Sequence, residues 1–426
     1  MAKSDIDLIE IPKDDEWHEN LHKVFLRGNK IQKIVDGTSP KCSKLSTLLL
    51  DRNYHLKWIA DDFFNNMPSL KVLDLSESGI ERLLESVSNL ECLSTLLISG
   101  CSKLSYVPSL IKLQRLISLD LSYTLITEAP CGLELLVNHR RLNFDSKFYL
   151  EMSASGIPKM TNLQSLVLNR IPKLVDVRAK DLQGLRKLEV ISANFSDTED
   201  FNACVMSFQD KDRTLKNYYL SSVMLLNDYV DEFFPWDAYS LKRVIFCGID
   251  MGNIAMLPGD INELIITVYH YLEDLNPIAG PFAPSFHKCT PFSHLIKLII
   301  HESGRMRILM TWELLSMLQN LEDIFVKYCK SMEEIVGEDC SSDIIPPTII
   351  TLPKLRFVDL YELPKLNSVF RGTMFYPSLE SFHAIYCKKP SHPLIEIKEG
   401  EELSMKKTKT GYCWSSDDQV HISSKS

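Results

Sequence analysis

A pair of aspartates, three cysteines and a histidine are the side chains of this 426-residue sequence whose types and spacing could do chemistry. Asp74 and Asp120 hold the same place in two copies of Leu-Asp-Leu-Ser, 120 − 74 = 46 residues apart. If each copy is a strand of one parallel sheet with a third strand between them, the carboxylates stand about 10 Å apart on one face. That separation suits an inverting glycosidase, which needs room for a water between its acid and its base. No pocket is implied around them, and solvated polar positions explain the pair better. Cys101, Cys329 and Cys387 fall at one point of a recurring pattern, so their recurrence reflects the pattern rather than a redox or metal role. His139 takes a slot that an apolar residue otherwise fills, which reads as a tolerated substitution and not as a ligand. The eleven cysteines include no C-x-x-C pair, and there is no H-E-x-x-H, G-x-S-x-G or glycine-rich dinucleotide loop. The sequence therefore predicts no enzyme, no metal and no cofactor.

The pattern behind those cysteines is a repeat. The sequence holds 60 leucines, and the template L-x-x-L-x-L, with other apolar residues allowed, matches at Leu21-Val24-Leu26, Leu45-Leu48-Leu50, Leu70-Leu73-Leu75, Leu93-Leu96-Ile98 and Leu116-Leu119-Leu121. It continues from His139, Leu163, Leu188, Leu215, Leu241, Ile261, Leu295, Leu321 and Leu355 to Leu379. Fifteen starts over 379 − 21 = 358 residues give a mean step near 26, within the range of leucine-rich repeats. The x-L-x-L-x portion alternates at period two, so both leucines face one side of a short strand. One unit cannot bury that face alone, and neighbours must stack to share a core. The expected fold is an α/β solenoid of about 15 repeats: a horseshoe with a parallel β-sheet on its concave face and irregular or short helical segments on the convex side. Three residues beyond the last strand leucine stand Asn29, Asn53, Cys101, Cys329 and Cys387, where an amide or thiol can bond turn backbone inside the stack.

Composition narrows the partners. Lys+Arg 47 against Asp+Glu 56 gives a net charge of −9 with no basic block, which argues against nucleic acid or an acidic membrane surface. No apolar run approaches the ~20 residues that span a bilayer, and the acidic opening MAKSDIDLIEIPKDDEWHEN does not read as a secretory signal. The expectation is a cytoplasmic location, with the nucleus as an alternative. Residues 1–20 read as a lead-in or cap and 21–400 as the repeat domain. Long loops are expected near 270–294 and 337–353, and a patternless, disordered tail over 401–426.

EIPKDDEWHENLHKVFLRGNKI, MPSLKVLDLSESGIERL, LLISGCSKLSYVPSL, LDLSYTLITEAPCGLELL, LRFVDLYELPKLNSVF and LEDIFVKYCKSMEEIVGED resemble the repeat region of plant nucleotide-binding leucine-rich-repeat disease-resistance proteins, the coiled-coil subclass above all. The resemblance runs from about residue 8 to about 398. It implies a module that contacts pathogen effectors, or host proteins they modify, and restrains a nucleotide-binding switch. The sequence departs from that family in lacking G-x-x-x-x-G-K-[ST], so ATP or ADP binding is not carried over, and a switch module could be engaged only in trans. The chain thus resembles a receptor fragment, a truncated and non-functional paralogue or an incomplete gene model. A different class, a repeat-type substrate adaptor of a ubiquitin ligase, wants a helical segment ahead of the repeats, and 20 residues before Leu21 are too few to fold one.

The outward residues of each strand can be read off the template. Early units show Thr47, Leu49, Asp51, Val72, Asp74, Ser76, Thr95, Leu97, Ser99, Ser118, Asp120 and Ser122, a small and mildly acidic face. Late units show Lys297, Ile299 and His301; Asp323, Phe325 and Lys327; Phe357, Asp359 and Tyr361; then Ser381, His383 and Ile385. Aromatics interleaved with charge are the composition of protein-interface hot spots, so the late face is the expected partner-binding surface.

Overall fold

The computed structural model of the chain describes residues 1–145, 157–168, 178–195, 197–208, 215–223, 241–248, 257–267, 273–275, 292–337, 349–369, 373–387, 404–407 and 411–415. Most of the two expected long loops, and most of the expected tail, lie outside the described residues. The chain divides into two compact units, Met1–Asn194 with Asp210–Lys216, and Phe195–Gln209 with Asn217–Ser426.

Each of the fifteen predicted starts is followed by a strand. In the first unit these are β1 (Lys23–Phe25), β2 (Thr47–Leu49), β3 (Val72–Asp74), β4 (Thr95–Leu97), β5 (Ser118–Asp120), β6 (Arg141–Asn143), β7 (Ser165–Val167) and, up to its boundary, β8 (Val190–Phe195). The second unit carries β9 (Asn217–Val223), β10 (Lys242–Cys247), β11 (Glu263–Thr267), β12 (Lys297–His301), β13 (Asp323–Lys327), β14 (Phe357–Tyr361) and β15 (Ser381–Ile385). Both units are parallel-β solenoids of leucine-rich-repeat type. Pairing is in register, so Val24, Leu48, Leu73, Leu96, Leu119, Leu142, Leu166 and Ile191 form one buried row of the first unit. In the second unit the corresponding row is Leu220, Val244, Leu264, Leu298, Ile324, Val358 and Phe382. A one-residue slip would turn either row outward, and that cost is what fixes the register.

Ten of the turns that follow these strands share a stereochemical requirement that the leucine template does not express. Gly28, Arg52, Glu77, Gly100 and Tyr123 in the first unit all have positive φ, as do Gly248, Glu302, Tyr328, Glu362 and Tyr386 in the second. Each lies two residues past the strand's last inward side chain, so each of these ten turns places one left-handed residue at the same point of the repeat. The next residue then secures the turn. Asn53 Nδ2 donates to the carbonyls of Leu26 (2.9 Å) and Leu50 (2.7 Å), and Cys101 Sγ to that of Leu75 at 3.1 Å. The bonds to Leu26 and Leu75 cross from one repeat to the next, that to Leu50 closes its own turn, and all satisfy carbonyls that the sheet has released. Burial pushes the Cys329 thiol up to about 12 and that of Cys387 to about 11, as expected for structural thiols held protonated in an apolar slot.

The segments opposite the sheet are short: 3-10 turns at Glu85–Asn89 and Leu133–Leu135, and helices at Ala179–Leu182 and Trp312–Met317. A longer helix at Thr198–Phe208 starts where Asp197 accepts the Asp200 amide at 2.7 Å, with Glu199 and Asp200 at the positive end of its dipole. It buries Phe201 against Phe195 and Phe246, edge to face, with ring centroids 5.8 and 5.1 Å apart. In the lead-in, Trp17 lies edge-on to Phe63 at 6.2 Å, and Lys3 and Asp5 donate backbone bonds to Phe25 and Arg27 beside β1. At the other end, backbone strand Gly411–Ser415 pairs antiparallel with β15, covering hydrogen-bonding groups that an edge strand would leave open.

Candidate functional site, the outward face of the second unit

Strands of five residues present three outward side chains each, where the three-residue strands of the first unit present two. On β12 to β15 they form three rows in register. The first is Lys297, Asp323, Phe357 and Ser381; the second Ile299, Phe325, Asp359 and His383; the third His301, Lys327, Tyr361 and Ile385. All ten residues expected at the site therefore share one continuous face, in the predicted order. Most are half-buried. His301 departs from the reading: it is 6% exposed, packed among neighbours instead of standing free.

The chemistry of the face is built around aromatic rings between charges. Phe325 has Lys297 Nζ 5.1 Å and Lys327 Nζ 5.8 Å from its ring centroid, cation–π distances that clamp the ring from two strands. Lys327 also reaches Asp359 on the next strand at 2.8 Å, so its charge is locally neutralised. The Arg356 guanidinium lies 5.1 Å from the Phe357 ring while its Nε donates to Glu380 at 2.6 Å. Burial raises the Asp323 carboxyl above its ordinary range against the opposing pull of Lys297, and burial pushes the His301 imidazole down. Ser381 Oγ and His383 Nε2 share a 3.0 Å hydrogen bond within β15.

Two groups of residues escaped the template. The left-handed position contributes Tyr328 and Tyr386, which join His301 and Tyr361 in an edge-to-face ladder with centroid spacings of 5.0, 5.3 and 5.5 Å. Only the glycines Gly28, Gly100 and Gly248 at the equivalent turn mark that position in the sequence. Further along the face, Ile245 and Ile265 are 0% and 2% exposed although they point away from the core row, and they form a separate apolar cluster with Tyr219 and Ile299. Beside them Arg243 and Glu263 form an ion pair with side chains 6% and 10% exposed, and Arg243 lies 5.8 Å from the Tyr219 ring. Alternation alone marks such positions as open; longer strands and bulky neighbours close over them.

The first unit's outward face sets Leu49, Val72 and Leu97 among polar side chains that bond mostly to one another. Arg27 pairs with Asp51 at 2.8 Å, Ser99 Oγ meets Ser122 Oγ at 2.7 Å, and Ser122 Oγ donates to Asp120 at 2.6 Å. Ser122 is 1% exposed, so its reading as an open position is corrected: bonding to Asp120 draws it in. Asp74 and Asp120 lie on β3 and β5 with Leu97 of β4 between them in register. Asp120 is held by Ser122 and Asn143, and the Ser76 amide donates to Asp74, so the two carboxylates serve separate turns rather than one reaction centre. Among the described residues no group of three or more metal-capable side chains converges.

Comparison with known proteins fits this architecture. The family described as "Plant disease resistance protein RPS2-like, leucine-rich repeats" matches residues 282–392, the stretch that holds β12 to β15, and the general "Leucine rich repeat" family matches residues 43–102. The Arabidopsis thaliana disease resistance protein RPS5 is 28% identical over 409 residues, which is 95% of this chain and 40% of that protein. The Arabidopsis thaliana disease resistance protein RFL1 is 26% identical over 373 residues, 87% of this chain and 36% of that protein. The chain spans about two fifths of the length of the curated relatives it matches. It is a leucine-rich-repeat domain related to several plant disease-resistance proteins.

Proposed function

We propose that this chain is a non-enzymatic, cytoplasmic recognition module of the plant immune-receptor type, binding a pathogen effector or a host protein that effectors modify. The observation that carries the reading is the face of β12 to β15, where Phe325, Phe357 and Tyr361 are interleaved with Lys297, Asp323, Lys327 and Asp359. Rigid aromatic rings bury large areas at small entropic cost, and a few such residues dominate a typical interface. The charges between them set orientation and reject wrong partners more than they add affinity. Relatedness to disease-resistance proteins supplies the biological context, and a nucleotide-binding switch module engaged in trans is a second partner of the same kind.

The experiment is co-purification from plant tissue challenged with a pathogen, followed by surface-resonance titration of whatever is captured. Phe325→Ala or Tyr361→Ala is expected to cost at least ~1–2 kcal/mol of binding with folding intact. The matched control, Thr95→Ala with Ser118→Ala on the first unit, is expected to be near neutral. Abolished binding in the control with full binding in the aromatic variants would place recognition on the other unit.

A further inference from the structure

We propose that the strand-end rim formed by Glu302, Tyr328, Tyr361, Glu362 and Tyr386 is a docking strip for an extended protein segment carrying arginines three residues apart. Four of these five residues sit at consecutive left-handed turn positions, with φ of 53° at Glu302, 58° at Tyr328, 52° at Glu362 and 56° at Tyr386. The Glu302 amide bonds to the Lys327 carbonyl, that of Tyr328 to Tyr361 and that of Glu362 to Ile385, each at 2.9 Å, so the turns stack one per strand. The rim therefore alternates acid, tyrosine, acid, tyrosine. A side chain other than glycine or asparagine in this backbone region is strained, here as at Arg52, Glu77 and Tyr123 of the first unit, so the strain belongs to the fold and the rim is set apart by its side chains.

Charge and spacing identify the occupant. Lys327, the nearest cation on the strands, is already paired with Asp359. Among the described residues no lysine or arginine pairs with Glu302, whose side chain is 44% exposed and has His301 Nδ1 at 4.0 Å, or with Glu362, whose carboxylate accepts the Tyr361 hydroxyl. Two acids flanked by tyrosine rings, Tyr386 being 50% exposed, suit guanidinium groups, which can pair with a carboxylate while stacking on an aromatic face. Adjacent strands are ~4.8 Å apart, so Glu302 and Glu362 recur every ~9.6 Å, as do Tyr328 and Tyr386. A polyproline-II segment rises ~3.1 Å per residue with three residues per turn, so its positions i and i+3 lie about 9.3 Å apart on one face. Repeat spacing and segment pitch match to within a few tenths of an ångström per turn.

The proposal rests on the reading of this half of the chain as protein-binding, and the test separates the two. A fluorescent nonapeptide of three Arg-Pro-Pro triplets is titrated into the full chain by anisotropy, beside peptides with Gln or Glu in place of Arg. The Arg peptide is expected to bind at least tenfold tighter than the Gln peptide, to weaken as salt rises, and to outcompete the Glu peptide altogether. Glu302→Gln with Glu362→Gln is expected to weaken it at least tenfold. Tyr386→Gly, in which the new residue accepts the left-handed backbone without strain, is expected to weaken it about threefold or more. Equal binding of Arg and Gln peptides, or an unchanged affinity in the double Gln variant, overturns the strip. Failure of the Arg peptide while capture of a natural partner still depends on Phe325 overturns the strip alone and leaves the broader reading standing.

Discussion

The two units solve one problem with different strands, and the difference shows what a repeat leaves free. In the first, the strands before β8 are three residues long and follow starts 23 to 25 residues apart, and the outward side chains bond mostly to one another: Arg27 to Asp51, Ser99 to Ser122, Asn143 to Asp120. In the second, strands of five to seven residues widen the sheet, and the added row brings Tyr361, Lys327 and the turn tyrosines to one edge. The inward rows hardly differ in kind, since both are leucine, isoleucine and valine up to Phe382 at the end of the second. Stacking is thus a property of the inward row, while outward aromatic and charged side chains accumulate where strands lengthen.

The strongest way to break that comparison is to attack the inward rows equally. Leu96 and Leu298 are each 0% exposed on a strand flanked by two others. Truncation of either to Ala removes apolar contact on both neighbours and leaves a cavity, which is expected to cost ~2–5 kcal/mol. Denaturant midpoints of Leu96→Ala, Leu298→Ala and the outward control Ser99→Ala provide the check. A midpoint for either leucine variant equal to that of the serine variant would refute the register assigned to its unit.

A pH experiment sharpens the contrast from the first unit's side. His139 is 0% exposed in a leucine slot, and its Nδ1 lies 3.2 Å from the Leu116 carbonyl, which can only accept, so Nδ1 carries the proton. Burial lowers its pKa from 6.5 to about 4. The unfolded chain therefore binds a proton between those values that the folded chain refuses. Stability should be fully present above pH 6.5 and fall by about 3 kcal/mol as the pH drops toward 4. His139→Leu is expected to remove that slope. Parallel slopes for the two proteins in urea titrations from pH 7 to 4 would mean that the imidazole is not held neutral.

These variants also mark what the sequence could and could not express. The spacing of Leu45, Leu70, Leu93 and Leu116 places every strand of the early stack because period-two alternation and a 23- to 25-residue step have few other physical solutions. The ten outward residues from Lys297 to His383 follow from the same template, since knowing the inward set fixes the outward one. Their surroundings do not follow. The burial of His301 comes from a turn residue on the next strand, Tyr328, and that of Ser122 from a carboxylate on its own. Ile245 and Ile265 alternate like exposed residues yet are covered. Alternation encodes direction; accessibility depends on side-chain bulk several repeats away in sequence and adjacent in space.

The smallest expected effect concerns the left-handed turn residue, which both units require and fill differently. Gly100 of the first unit has φ of 73°, and a Cβ there would meet the Glu77 side chain at 3.1 Å, so space is tight but yielding. Gly100→Ala should then destabilise by about 1 kcal/mol, most of it from the backbone itself. Glu362→Gly reverses the argument in the second unit. It releases the left-handed penalty, but glycine also gains conformational entropy in the unfolded chain, and the two terms oppose each other at roughly 1 kcal/mol apiece. The net change should lie within about 0.5 kcal/mol of zero, with binding of an arginine-bearing segment lost. That combination is the discriminating one. If Glu362→Gly proves strongly destabilising, the glutamate is there to support its neighbours Tyr361 and Tyr386, and the strain at this rim serves the fold. If stability is unchanged and binding falls, the strain is maintained for what the side chain meets outside the chain.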